Sequence, residues 1–466
     1  MRGYHSAGVI AASSVIAFVL LITDVSAQGG PAELRTPNSS GFLLSLSTTG
    51  AVVDTTNPFF RSLGTNGRSC VTCHVPGEDW SITPGDVRRR FEITAGMDPI
   101  FRTNDGSNAR NADVSTLAAR RSAFSMLLSR GVIRVGTPVP PDAEFDLAAV
   151  DDPYGYASAT ELSLFRRPLP STNLRFLNTV MWDGRETLQK LLATNSADQN
   201  LAALRFDLGD QANGATRGHA QAGRDLTDVE RQAIVDFETG LSTAQVFDLS
   251  AGALMVNGAT SGPVELLAQP FFVGINDLTI DATKVPPIVE PGGPAMTLFS
   301  AWATSAHTPA QASVARGEAL FNSRPINITG VNGLNDALGL PAFRGTCATC
   351  HNTPNVGNHS VAAPLNIGIA DASRRTPDLP LYTLRNKSTG ATVQTTDPGR
   401  ALVTGKWQDV GKFKGPILRG LSARAPYFHS GSAATLDEVV SFYNSRFAIG
   451  LTSQEHADLV AFLRTL

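Results

Sequence analysis

Side chains able to ligate a metal are few in this chain. Its 466 residues include only four cysteines, six methionines and eight histidines. No methionine follows Met296, and no cysteine lies outside two short units, so any metal chemistry must draw on a small set of residues. Basic runs are missing too. The formal charge is −3, with 38 Lys and Arg against 41 Asp and Glu, and without a basic stripe nucleic-acid binding is set aside. Beyond Ile22 no apolar stretch approaches the roughly 18 residues of a membrane helix, so no stable span is expected after the first residues.

The start of the chain is different. Arg2 precedes an apolar run from about Gly8 to Ile22, which closes on Val25-Ser26-Ala27. A basic start, a short apolar core and small residues at a cleavage point make a secretory signal. Residues 1–27 therefore read as a signal peptide, and the mature protein as periplasmic.

All four cysteines fall into two Cys-x-x-Cys-His units, Cys70-Val71-Thr72-Cys73-His74 and Cys347-Ala348-Thr349-Cys350-His351. Two thiols at this spacing add to the vinyl groups of a haem, and the adjacent imidazole ligates its iron. A redox dithiol does not need the following histidine, and a zinc site sets two such pairs much closer together. Two covalently bound haem c groups are expected, with His74 and His351 each holding one face of an iron.

The chain also repeats itself. Leu226-Thr227-Asp228-Val229-Glu230 and Leu451-Thr452-Ser453-Gln454-Glu455 open two segments that share Leu, Thr, Glu, Val and Phe at equal offsets. Both predict helices, with Thr227 and Thr452 as N-caps and Glu230 and Glu455 completing capping boxes. A second echo pairs Met181-Trp182-Asp183-Gly184 with Phe428-His429-Ser430-Gly431, and Ser313 to Phe321 reads as an opening helix. The pattern predicts a mainly α fold of two cytochrome c-like haem domains with long loops, arising from an internal duplication. The domains are expected at 28–249 and 305–466, joined by a Pro/Gly-rich connector over 250–304. Around Pro286-Pro287 that connector cannot be helical.

The ligand on the far face of each iron decides its chemistry. Electron carriers fill that face with Met or His, whereas enzymes leave it open or weakly held. Downstream of the second unit the candidates are His359, His429, His456 and Tyr443. His359 lies eight residues past His351, close for reaching the opposite face. His429 sits in an aromatic turn, where its imidazole could bond a propionate, and His456 falls on the closing helix. Tyr443 follows Leu436, Val439 and Val440 at helical spacing, which suits a ligand or a plain core residue. In the first domain the histidines are His74 and His219. His219 can be read as a ligand, a distal acid/base or a surface residue. If it is not a ligand, the first iron is open to small molecules.

Arg166-Arg167-Pro168 leads to Trp182-Asp183-Gly184-Arg185. Phe413-Lys414-Gly415-Pro416-Ile417-Leu418-Arg419 and Ala425-Pro426-Tyr427-Phe428-His429-Ser430-Gly431-Ser432 follow. In kind and order these motifs resemble the bacterial dihaem cytochrome c peroxidase superfamily, which includes MauG, and the resemblance covers about 45–466. It implies an N-terminal haem that meets hydrogen peroxide and a C-terminal haem that relays an oxidising equivalent. It also implies a Trp between them, matched by Trp182. The family's second-haem Met lies fourteen residues after the turn His, where this chain has Tyr443, as in the MauG-like branch. Arg90 stands some sixteen residues beyond the first motif, where the peroxidases carry a dissociable His, which implies a first haem that reacts without prior reduction. Leu191-Leu192 occupies the region of the family's distal Gln, leaving Gln211 and His219 to take that role. A calcium ion between the domains is usual in the family, but Pro168 stands where its side-chain ligand falls.

The resulting expectation is a peroxidase-type oxidoreductase acting on hydrogen peroxide, with Trp182, His219 and Gln211 as catalytic candidates. Its electrons would come from a small c-type cytochrome or a cupredoxin. One alternative is a MauG-like oxidase that matures a protein cofactor or oxidises an organic substrate. Another is a non-enzymatic dihaem electron carrier.

Overall fold

The computed structural model describes residues 32–189, 192 and 194–466. The signal segment 1–27 and Leu191 lie outside the described residues. The mainly α expectation is corrected, because the described residues hold thirteen strands in four sheets beside the helices. The strands escaped a reading by helical period because their partners lie far away in the chain. Strand Gly41–Ser47 pairs with Ala32–Asn38 on one side and with Leu241–Asp248 on the other. This ties the start of the described chain to the end of the first half.

One sheet joins the two halves. Strand Phe145–Asp151 runs antiparallel to Leu381–Asn386, which pairs in turn with Thr392–Thr395. Beneath it Phe145, Leu162, Leu164, Tyr382, Leu384 and Leu402 form one buried cluster. Each large apolar side chain buried in this way contributes roughly 1.5–3 kcal/mol, so the halves are joined by a core as well as by a chain. Residues 250–304 are likewise more than a spacer. Ile288 pairs with Arg344, and Met296, Leu298, Phe299 and Trp302 are buried with Phe321 and Phe462.

The helices follow their sequence signals. Asp228–Gly240 and Ser453–Arg464 carry matching capping boxes, Thr227 with Glu230 and Thr452 with Glu455. In each, the cap N–H donates to the Glu carboxylate at 2.8 Å. Helix Pro309–Ser323 crosses the closing helix at Gly317, where a Cβ would fall 2.0 Å from the Asp458 carbonyl oxygen. No helix among the described residues is long and apolar enough to cross a membrane.

Candidate functional site: two thiol-lined cavities sharing a tryptophan

The two Cys-x-x-Cys-His units fold alike. A turn over Cys70–Thr72 is capped by the Ser69–Thr72 pair, and one over Cys347–Cys350 by Thr346 with Thr349. All four thiols are free. Burial pushes them up, Cys347 and Cys350 to about 12. Each motif histidine donates from Nδ1 to the carbonyl six residues on, His74 to Trp80 at 3.0 Å and His351 to Gly357 at 2.6 Å. A carbonyl only accepts, so this bond places the proton on Nδ1 and leaves Nε2 for a metal. Burial also pulls His74 down to about 4 and lowers His351, which keeps both rings in the neutral form that ligates.

Each unit opens into a cavity, of about 1520 Å³ at the first and about 1670 Å³ at the second, open mouths included. Arg167 and Lys414 line both cavities. The Arg167 guanidinium meets carbonyls alone, Ile82 at 2.6 Å and Arg424 at 2.8 Å among them. Burial and the neighbouring Arg424 pull Lys414 down to about 7. Buried cations without carboxylates suit the propionates of a haem. The donor set therefore fits a haem in each cavity, with two thiols, one imidazole and facing cations. No group of three or more His, Cys, Asp or Glu that could hold a metal occurs among the described residues.

Trp182 lies in the wall of both cavities. Its indole N–H donates to the Arg167 carbonyl at 2.8 Å, and its own carbonyl accepts from Lys414 N–H at 2.9 Å. The turn that carries it is built twice. Met181 and Gly184 have φ of 68° and 74°, and Phe428 and Gly431 have 64° and 67°. In both copies the fourth N–H donates to the first carbonyl at 3.3 Å. The turn is anchored by Arg166, which bridges Asp183 at 2.5 Å and Asp397 at 2.7 Å.

In the first cavity Gln211 and His219 share the lining with His74. Gln211 lies in the second half of helix Ala197–Gly218, and His219 is its C-cap. His219 Nδ1 is hydrogen-bonded to Asp105, whose other oxygen takes Arg68. Burial opposes ionisation of Asp105, but His219 and Arg68 hold its carboxyl below the ordinary value. Sequence reasoning missed Asp105 and Arg68, since no local pattern links Asp105 to a histidine more than a hundred residues away. Arg90 is directed elsewhere. It donates to the Thr72 carbonyl at 2.7 Å and to Asp98 at 3.1 Å, bracing the haem-motif turn.

In the second cavity the Tyr443 ring lies 6.4 Å from that of His351, and burial raises its phenol. Of the other candidates, His359 also lines this cavity, with Nδ1 3.3 Å from Asn352 Oδ1. His456 is turned to Asp437 at 2.8 Å, away from the cavity. His429, expected near a propionate, lines neither cavity. Its ring stacks on Phe413 at 4.3 Å, and its Nε2 faces Asp397 at 3.9 Å.

No family model matches the chain. Among curated proteins, cytochrome-c peroxidase IdrP1 of Denitromonas iodatirespirans is 30% identical over 209 residues, 40% of this chain and 45% of that protein. Cytochrome-c peroxidase IdrP2 of the same organism is 33% identical over 133 residues, covering 26% of this chain and 36% of that one. Cytochrome c551 peroxidase of Nitrosomonas europaea is 34% identical over 131 residues, 28% and 33% of the two chains. The matched stretches thus span less than half of each relative's length. A solved diheme peroxidase from Burkholderia thailandensis shares 17% identity, with 94% of this chain and 93% of that one covered, at a TM-score of 0.31. That score is too low to establish a common fold. Over these stretches the chain is similar to bacterial cytochrome c peroxidases.

Proposed function

We propose that the chain is a periplasmic dihaem oxidoreductase of the peroxidase type. Cys70, Cys73 and His74 would hold a first haem, which would supply the chemistry for hydrogen peroxide. Cys347, Cys350, His351 and Tyr443 would hold a second haem, and Trp182, in the wall of both cavities, would relay oxidising equivalents between the two. The observation that carries this reading is the place of Trp182 in the wall of both thiol-lined cavities. The repeated turn and the repeated His-to-carbonyl bond support an origin by duplication.

A bound haem supplies the redox chemistry that divides peroxide. The chain supplies everything else. His219, aligned by Asp105, carries a proton from one peroxide oxygen to the other, and Gln211 orients the molecule by hydrogen bonding. Trp182 keeps its N–H on the Arg167 carbonyl, which takes no proton, so an electron leaves the indole without one. The His219–Asp105 pair has no use in a passive carrier and favours an enzyme. Electrons return from a small c-type cytochrome or a cupredoxin. Tyr443 in place of Met favours a second reading, a MauG-like oxidation of a protein or organic substrate, because an anionic oxygen donor suits a highly oxidised iron better than a thioether.

Acid-acetone extraction of the denatured protein tests the foundation. Two haems should stay with the chain, and one should remain after Cys70→Ala with Cys73→Ala. The ferric protein should then react with stoichiometric peroxide without prior reduction. Release of haem into the solvent, or a ferric protein inert to peroxide, would overturn the reading.

A further inference from the structure

The loop after the first haem unit makes a turn that L-residues rarely adopt twice running. Asp79 and Trp80 have φ of 52° and 57°. Such residues persist only where their surroundings over-determine them. Trp80 is held by an aromatic cluster, with Phe59 at 6.1 Å and Phe237 at 5.5 Å, and by its N–H to Ser45 at 3.1 Å. Asp79 is held differently. It is fully buried, and neither carboxylate oxygen has a hydrogen-bond partner. Its Oδ2 lies 3.2 Å from Arg424 Nε, and its carboxylate presses on Gly420, where a Cβ would fall 2.1 Å from Asp79 Cγ. Burial pushes this carboxyl up, against the pull of Arg424 and Arg419. The groups that grip it therefore belong to the other half of the chain.

What the turn delivers is the Trp80 carbonyl, which accepts from His74 Nδ1 and from Ser171 N–H, each at 3.0 Å, while Ser171 Oγ also lies 3.0 Å from His74 Nδ1. The second unit builds the same acceptor with a glycine, Gly357 at φ 81°. Glycine reaches that conformation at no steric cost, and no buried acid is needed there. In the first unit a tryptophan occupies the equivalent place and needs support.

We propose that Asp79 is a positioning residue. Its buried carboxylate, locked against Arg424 and Gly420, holds the left-handed turn that aims the Trp80 carbonyl at His74. This sets the electron-donating strength of the first iron's imidazole and lets the first haem register the placement of segment 419–424. The inference rests on the reading of His74 as an iron ligand. A strong Nδ1–H bond makes the imidazole more basic and favours ferric iron, so loosening the turn raises the potential.

The test uses the dihaem protein, with haem content, the potential of each haem and the iron–histidine stretching frequency as readouts. Asp79→Asn and Gly420→Ala should each shift the first haem's potential upward and its stretching frequency downward. The second haem should not move. Asp378→Asn, which breaks the Arg130–Asp378 pair between the halves elsewhere, should change neither. Gly420→Ala removes no charged group, so it carries the test if Asp79→Asn does not accumulate dihaem protein. A first haem unchanged in Gly420→Ala, or equal shifts at both haems, would overturn the proposal. Wild-type protein retaining fewer than two haems would instead overturn the reading beneath it.

Discussion

Trp182 and His429 stand at the same place in two copies of one turn, and their rings meet edge to face with centroids 6.4 Å apart. Only the first of them reaches the cavities. His429 is walled off by Phe413 and by the Arg166–Asp397 pair, whereas Trp182 faces both thiol-lined spaces. One turn thus stands once in the wall shared by two cavities and once as a buried strut.

Replacing Trp182 by Phe should leave two haems in place and the first still reactive to peroxide. The spectral change at the second haem should be slowed at least tenfold, as read by rapid-mixing spectroscopy. An unaltered rate would make Trp182 a core residue and nothing more.

His219→Ala should slow peroxide consumption by about 10²–10⁴-fold, the usual worth of a positioned proton-transfer group. Asp105→Asn, which leaves the ring present but takes away its charged partner, should give a smaller loss with a shifted pH optimum. If both variants keep the parent rate, the proton is moved by another group, and Gln211 becomes the residue to test next.

Tyr443→Phe should change the ferric spectrum of the second haem. Tyr443→His should turn it low-spin, with two imidazoles on the iron and a higher potential, because an anionic ligand has been lost. A spectrum indifferent to Tyr443→Phe would direct attention to His359, which lines the same cavity.

Glu238 lines the first cavity with one carboxylate oxygen unpartnered, and burial pushes its carboxyl up to about 7. Below that pH it is neutral, and above it a negative charge stands beside the first haem. Negative charge favours ferric iron, so the first potential should fall as pH rises through about 7. Glu238→Gln should flatten that slope. The same slope in the variant would assign the titration to a different group.

The parts legible in the sequence were those written locally. The thiol–imidazole units, the capping boxes at Thr227 and Thr452, and the helix bearing Tyr443 each depend on residues a few positions apart. What escaped depends on distance. The pairing of Phe145–Asp151 with Leu381–Asn386 has no local signature, and neither does the union of Asp105 with His219. No local pattern marks Asp79. Its importance comes from Arg424 and Gly420, which only the folded chain brings to it.

The sheet that joins the halves also bears on how the protein is made. Strand Phe145–Asp151 has to wait for a neighbour encoded some 230 residues later. At about 5–20 residues per second, that is a delay of roughly ten seconds or more in synthesis. Once the fold closes, burial pushes the Cys70 and Cys73 thiols up, and the less nucleophilic protonated form prevails. A chain ending before Leu381 would leave strand Phe145–Asp151 without its partner.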